Sequence, residues 1–182
     1  MTDTTQWTDD HFVGGDLALD FANTVFRRTP ELGRDLLDSP EALSSWFGHA
    51  GLLPATESRC DGSTLRKARE LRGLLWRIFD EQRHDRPLPT DALSDLLGMA
   101  QADLDGVVAA DGTVTPQTAA GACSAVALRA IRLALNPPAR PVRACDRCGW
   151  FFFDTSRGRR RRWCSMQTCG NQAKAARYRS MH

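Results

Sequence analysis

The chain has 182 residues, 42% hydrophobic and 25% charged, the balance of a globular protein, which excludes disordered and collagen-like classes. No stretch approaches 18 clean apolar residues, and the start is acidic without an apolar h-region, so neither a membrane span nor a secretory signal is expected and the cytoplasm is the expected compartment. The formal net charge of +2 conceals a division: residues 140–182 carry eleven basic and two acidic side chains, a net of +9, whereas residues 1–139 stand at −7.

Helices are expected throughout the acidic part. Residues 15–26 read as a short helix with Leu17, Phe21 and Val25 on one face. Ser39, Pro40 and Glu41 then supply a cap, a proline at the first helical position and a carboxylate in the first turn. That helix buries Ala42, Leu43, Trp46 and Phe47, and Gly51 ends it. The longest helix, 63–83, has an apolar stripe of Leu65, Ala68, Leu71, Leu75, Ile78 and Phe79, and Pro87 and Pro89 close it. Thr90 is expected to cap the next helix, with Leu93, Leu96, Leu97 and Ala100 inward. An Asp111-Gly112 pair between β-branched residues over 107–114 suggests a small β-hairpin. Thr115-Pro116 opens the last long helix, whose inward face is Ala119, Ala122 or Cys123, Val126, Ala130 and Ile131. Pro137, Pro138 and Pro141 stop it. The expected organisation is a mainly α domain over 10–137, a proline-rich linker over 138–141 and a small module over 142–180.

The acidic part lacks a nucleotide-binding glycine loop, a nucleophile elbow and a zinc-protease motif, so no enzyme is expected. His11, His49 and His84 are scattered, and Cys60 and Cys123 read as inert thiols. Asp20, Asn23 and Thr24 interrupt an apolar helix at spacings that let Asp20 share a face with either neighbour. Two readings stand: a buried polar cluster pinning this helix to neighbouring backbone, or a pocket for a small-molecule effector.

The other four cysteines fall within the last 38 residues, as Cys145-x2-Cys148 and Cys164-x4-Cys169. In a cytosolic chain such pairs read as metal ligands before disulfides, and a redox motif would leave the second pair without a use. A catalytic zinc keeps one position open for water, whereas four thiolates close the shell around one structural Zn²⁺. Gly149 after Cys148 suits the sharp turn of a knuckle. Residues 150–154 alternate as a strand, 156–158 make a turn, 159–163 return as the partner strand, and 172–179 read as a helix. Knuckle, hairpin and helix together form a treble-clef-like zinc finger. About 40 residues cannot bury a stable core alone, and metal binding would contribute on the order of 10 kcal/mol. Two charges of the nine offset the formal −2 of a Zn(Cys)4 site. Arg157, Arg159, Arg160, Arg161 and Arg162 on the hairpin, with Lys174 and Arg177 on one side of the helix, remain as candidate contacts to a nucleic-acid backbone.

The motifs Cys-x2-Cys, Phe153-Asp154-Thr155-Ser156-Arg157, the run Arg-Arg-Trp-Cys-Ser-Met over 161–166, and Cys169-Gly170-Asn171 resemble the CGNR zinc-finger family. Its members pair this finger with an N-terminal ABATE domain, whose opening motif Leu19-Asp20-Phe21-Ala22-Asn23-Thr24 resembles. Gln172 stands where the family has its name-giving arginine. The resemblance implies a bacterial transcription regulator that binds DNA through the finger, the helical domain serving ligand sensing or interaction. Charge alone leaves two other partners open, RNA or an acidic protein docked on a zinc-stabilised module.

Overall fold

The computed structural model describes residues 4–54, 59–104, 107–109 and 111–181. Helices begin where a side chain accepts an amide hydrogen that the first turn leaves without a partner. Asp16 does so for α1 (Leu17–Ala22), Ser39 for α2 (Pro40–His49) and Asp61 for α3 (Gly62–Gln82), at 2.9, 3.1 and 2.7 Å. α4 (Thr90–Gln101) follows Pro89 with no side-chain cap, so Thr90 is its first residue and not its cap. Thr118 accepts from Gly121 N at 2.9 Å and starts α5 (Ala119–Leu135), three residues later than the Thr115-Pro116 signal suggests.

α1 ends at Ala22 rather than near Phe26. The Thr24 hydroxyl donates to the Phe21 carbonyl, and Val25 leaves the helix to pair antiparallel with Asp35. The expected hairpin over 107–114 is present as a bridge between Val108 and Val114; Ala110 lies outside the described residues.

α5 is the central helix, with α1, α3 and α4 packed against it and Ala122, Val126, Ala127 and Ala130 fully buried. The stripe of α3 is buried in full. On α4 the buried line is Ala92, Leu96 and Ala100, spaced by four, while Leu97 is exposed. Two alanines on that line let α5 approach closely, and the Ser124 hydroxyl donates to the Met99 carbonyl at 3.0 Å. Arg72, on α3, is also buried. It grips Asp35 through two nitrogens at 2.6 and 2.8 Å and donates to the Thr24 carbonyl at 2.8 Å, so the buried charge is paired and hydrogen-bonded. Among the described residues no helix is long and apolar enough to cross a membrane.

After the proline segment, β1 (Val142–Ala144) pairs antiparallel with β2 (Phe151–Phe153), Arg143 opposite Phe152. The hairpin therefore encloses the Cys145–Cys148 knuckle itself. Residues 159–163 are not its second strand; they run as a loop, joined to the knuckle by Asp146 N donating to the Arg162 carbonyl at 3.0 Å. A π-type turn, Met166–Gly170, leads into α6 (Asn171–Met181), a helix with no buried residue.

All three phenylalanines of β2 are buried, and they belong to the same hydrophobic core as α1 to α5. Phe151 meets Phe79 edge to face at 5.7 Å, and burying each such ring stabilises by about 1.5–3 kcal/mol. Asn23 clasps the strand: its amide nitrogen donates to Phe151 O and its oxygen accepts from Phe151 N, both at 2.8 Å. Phe153 N donates to Gly14 O, and Trp150 Nε1 to Val25 O. Replacing Asn23 by alanine leaves two buried backbone groups of Phe151 without partners. We expect Asn23→Ala to lower stability by about 2–4 kcal/mol in urea unfolding; a change near zero would mean that the clasp is absent.

Candidate metal centre

The centre is assembled from three short pieces of chain. Cys145 and Cys148 sit in the turn between β1 and β2, Cys164 follows the arginine loop, and Cys169 lies in the π-type turn before α6. Backbone amides of Cys148 and Trp150 donate to the sulfurs of Cys145 and Cys148. Gly149 closes the knuckle at φ +75°, and a Cβ there would stand 2.9 Å from Arg28 Cβ and 3.0 Å from Thr29 Oγ1. Both the backbone sign and the space require glycine.

All four cysteines are buried, and their sulfurs lie within 4.8 Å of one another. The Cys148–Cys164 and Cys164–Cys169 separations are 3.6 Å. Tetrahedral sulfurs at a Zn–S distance of 2.3 Å would be spaced by about 3.8 Å, so the donor set fits one zinc ion. Its softness favours zinc over hard cations. Among the described residues no other group of three His, Cys, Asp or Glu side chains could hold a metal. Hydrogen bonding from Cys148 pulls Cys145 below the ordinary thiol range, while hydrogen bonding with Cys145 pushes Cys164 above it. A bound cation would let all four be thiolates. Away from the centre, burial pushes the Cys123 thiol up to about 12 and Cys60 in the same direction, which keeps both unreactive.

Asp154 organises the loop that carries the arginines. It is buried, and it accepts from Ser156 N, Ser156 Oγ and Arg161 N at 3.0, 2.6 and 3.0 Å. Arg161 is turned inward: its guanidinium stacks on Phe152 at 4.8 Å and donates to the carbonyls of Trp163 and Cys164. Arg162 pairs with Asp146 at 2.6 Å and lies over Trp163. Arg157, Arg159 and Arg160 are exposed and form no ion pair among the described residues. The same holds for Lys174 and Arg177 on α6. The centre thus displays five of the seven expected cations free and uses two to brace itself.

Arg28 had no signal in the sequence. Its guanidinium lies 4.1 Å from the Phe151 ring and 5.2 Å from the Trp76 ring, and pairs with Asp80 at 2.5 Å. Its backbone N–H donates to the Cys148 carbonyl at 2.6 Å, so the knuckle is fastened directly to the helical part.

A family model for the ABATE domain, described as "Putative stress-induced transcription regulator", matches residues 15–137. A second model, the CGNR zinc finger, matches residues 142–182. The chain belongs to the ABATE family and carries a CGNR zinc finger. Comparison with curated proteins finds no match. In the CGNR motif Gln172, the departure from the name-giving arginine, is exposed at the start of α6 and borders a cavity of about 380 Å³ shared with Phe26, Arg27 and Trp150 of the neighbouring segments.

Within the ABATE motif, Asn23 and Thr24 make the backbone bonds described above. Asp20 accepts from Gly14 N at 2.7 Å, and Gly14 in turn accepts from Phe153 N. Desolvation pushes the Asp20 carboxyl up to about 7, from 3.8. Between those values the folded chain keeps a proton that the unfolded chain has lost, so stability falls as pH rises from about 4 to about 7. The loss is on the order of 3 kcal/mol. Asp20→Asn keeps the acceptor for Gly14 and removes the titration. Its stability, measured by denaturant unfolding across this range, should decline less with pH than that of the parent chain; equal slopes would contradict the shift.

Proposed function

We propose that this protein is a DNA-binding transcription regulator rather than an enzyme, with one structural Zn²⁺ held by Cys145, Cys148, Cys164 and Cys169. The zinc would order the loop over 157–162 and seat α6. In this reading the chain works as an ABATE domain over 10–137, a linker over 138–141 and a finger over 142–180, in the cytoplasm where thiols stay reduced.

The observation that carries the reading is α6. It has no buried residue, yet it is rooted at Cys169 in the metal centre and presents Lys174 and Arg177 to solvent. A polar helix without a buried residue is suited to a surface on a partner. The free guanidinium groups of Arg157, Arg159 and Arg160 add to it, and counterion release from phosphates would supply the affinity. The acidic charge of residues 1–139 would discourage non-specific contact through the rest of the protein.

With about six phosphates engaged, log K for duplex DNA should fall against log salt with a slope near −5. Anisotropy titrations of the zinc-loaded chain measure it. The combined variant Arg157→Gln, Arg160→Gln, Lys174→Gln and Arg177→Gln should retain zinc and lose binding by more than tenfold. A salt-insensitive complex, or undiminished binding by that variant, would overturn the proposal. Stronger competition by structured RNA than by duplex DNA would overturn the choice of partner.

A further inference from the structure

We infer that Arg83, Arg140, Arg143 and Arg159 form a phosphate-binding cleft where the helical part meets the finger. The cleft has a volume of about 400 Å³ and is built from four separate stretches: the C-terminal cap of α3, the proline segment, β1 and the arginine loop. Only Arg159 belongs to the arginine run, so the cluster is a product of folding and not of local composition.

The lining carries one acidic side chain, Asp85. Arg140 and Arg159 are exposed and form no ion pair among the described residues. Arg83 uses its Nε on Asp80 at 2.7 Å, which leaves its terminal nitrogens available. Arg143 is aimed by the protein: its Nη2 donates to the Arg159 carbonyl at 2.9 Å, and its Nε lies 3.8 Å from the buried Asp154. Four guanidinium groups repel one another across a space of this size, and a bound anion would relieve that repulsion. Donors converging from several directions suit the oxygens of a phosphate group, each guanidinium offering parallel N–H groups.

The backbone takes an uncommon shape at the same place, where α3 ends and the arginine loop turns. Among the described residues, the non-glycine positions with positive φ are Asp85 at 54° and Arg159 at 49°, and both line this cleft. The left-handed region costs an arginine free energy, and such strain gathers where a fold holds groups for a ligand. An adjoining cleft shares Arg140, Pro137 and Pro138 and carries Arg132 of α5 beside the Asp16–Arg129 ion pair.

The phosphate could come from a nucleic-acid backbone or from a small phosphorylated molecule. The cleft does not rest on the finger's binding DNA, and the experiment separates the two. The zinc-loaded full chain, Arg140→Gln and Arg140→Lys are titrated with inorganic pyrophosphate by calorimetry and with a short duplex by anisotropy. Arg140 is exposed and without an ion pair, so folding should be unaffected. Saturable pyrophosphate binding, weakened at least tenfold in Arg140→Gln and partly restored in Arg140→Lys, supports the cleft with a small ligand, whether or not the chain binds duplex. No pyrophosphate binding, with a salt slope for the duplex reduced by about 0.9 in Arg140→Gln, supports it with the backbone as source. Absence of both changes, or pyrophosphate binding equally tight in Arg140→Gln, overturns the cleft; if Lys174→Gln and Arg177→Gln still weaken the duplex complex, the DNA reading survives that failure.

Discussion

Four buried sulfurs must be brought within 4.8 Å of one another by a segment too small to bury a core of its own. That requirement shapes the molecule from both sides. On the near side, the knuckle, the π-type turn and the Asp154 loop supply local geometry. On the far side, the helical part lends its core: β2 inserts three phenylalanines, Asn23 pairs with its backbone, and Arg28 donates its backbone N–H to the Cys148 carbonyl while its guanidinium lies against the Phe151 and Trp76 rings. The finger is therefore packed on the helical part as well as joined to it by the proline segment. The proline segment separates two sequence families, yet the hydrophobic core crosses it without a break.

This continuity gives the ABATE motif a physical meaning. Leu19, Phe21 and Ala22 fill the core, while Asp20, Asn23 and Thr24 reach Gly14, Phe151, Phe21 and Arg72. Their polar atoms engage backbone on both sides of the junction. Asn23 ties that small helix to Phe151 of β2, three residues after Cys148 of the knuckle.

Local signals were legible in the sequence and distant ones were not. Ser39-Pro40-Glu41 and the stripe of α3 act within a few residues, and they appear where the pattern placed them. The four cysteines and Gly149 were legible too, because metal geometry restricts spacing. The sequence pattern lets Phe151–Phe153 pair with either flank, and in the structure the strand pairs with β1 and packs on Phe79 and Asn23. Leucine spacing alone points Leu97 inward, whereas the buried line of α4 runs through the small residues Ala92 and Ala100 with Leu96. Arg161 and Arg162 belonged to a cationic run, but the loop turns one of them onto Phe152 and the other onto Asp146. Arg28 with Asp80 and Arg72 with Asp35 join residues too far apart for any periodicity to reveal.

The account stands on one metal ion held by these four sulfurs, and elemental analysis of the purified chain tests that most directly. One zinc per chain is expected, falling to a small fraction in Cys164→Ser with loss of ordered structure at β2. A chain without stoichiometric metal, or one whose zinc content is unchanged when Cys164 is replaced, would contradict it.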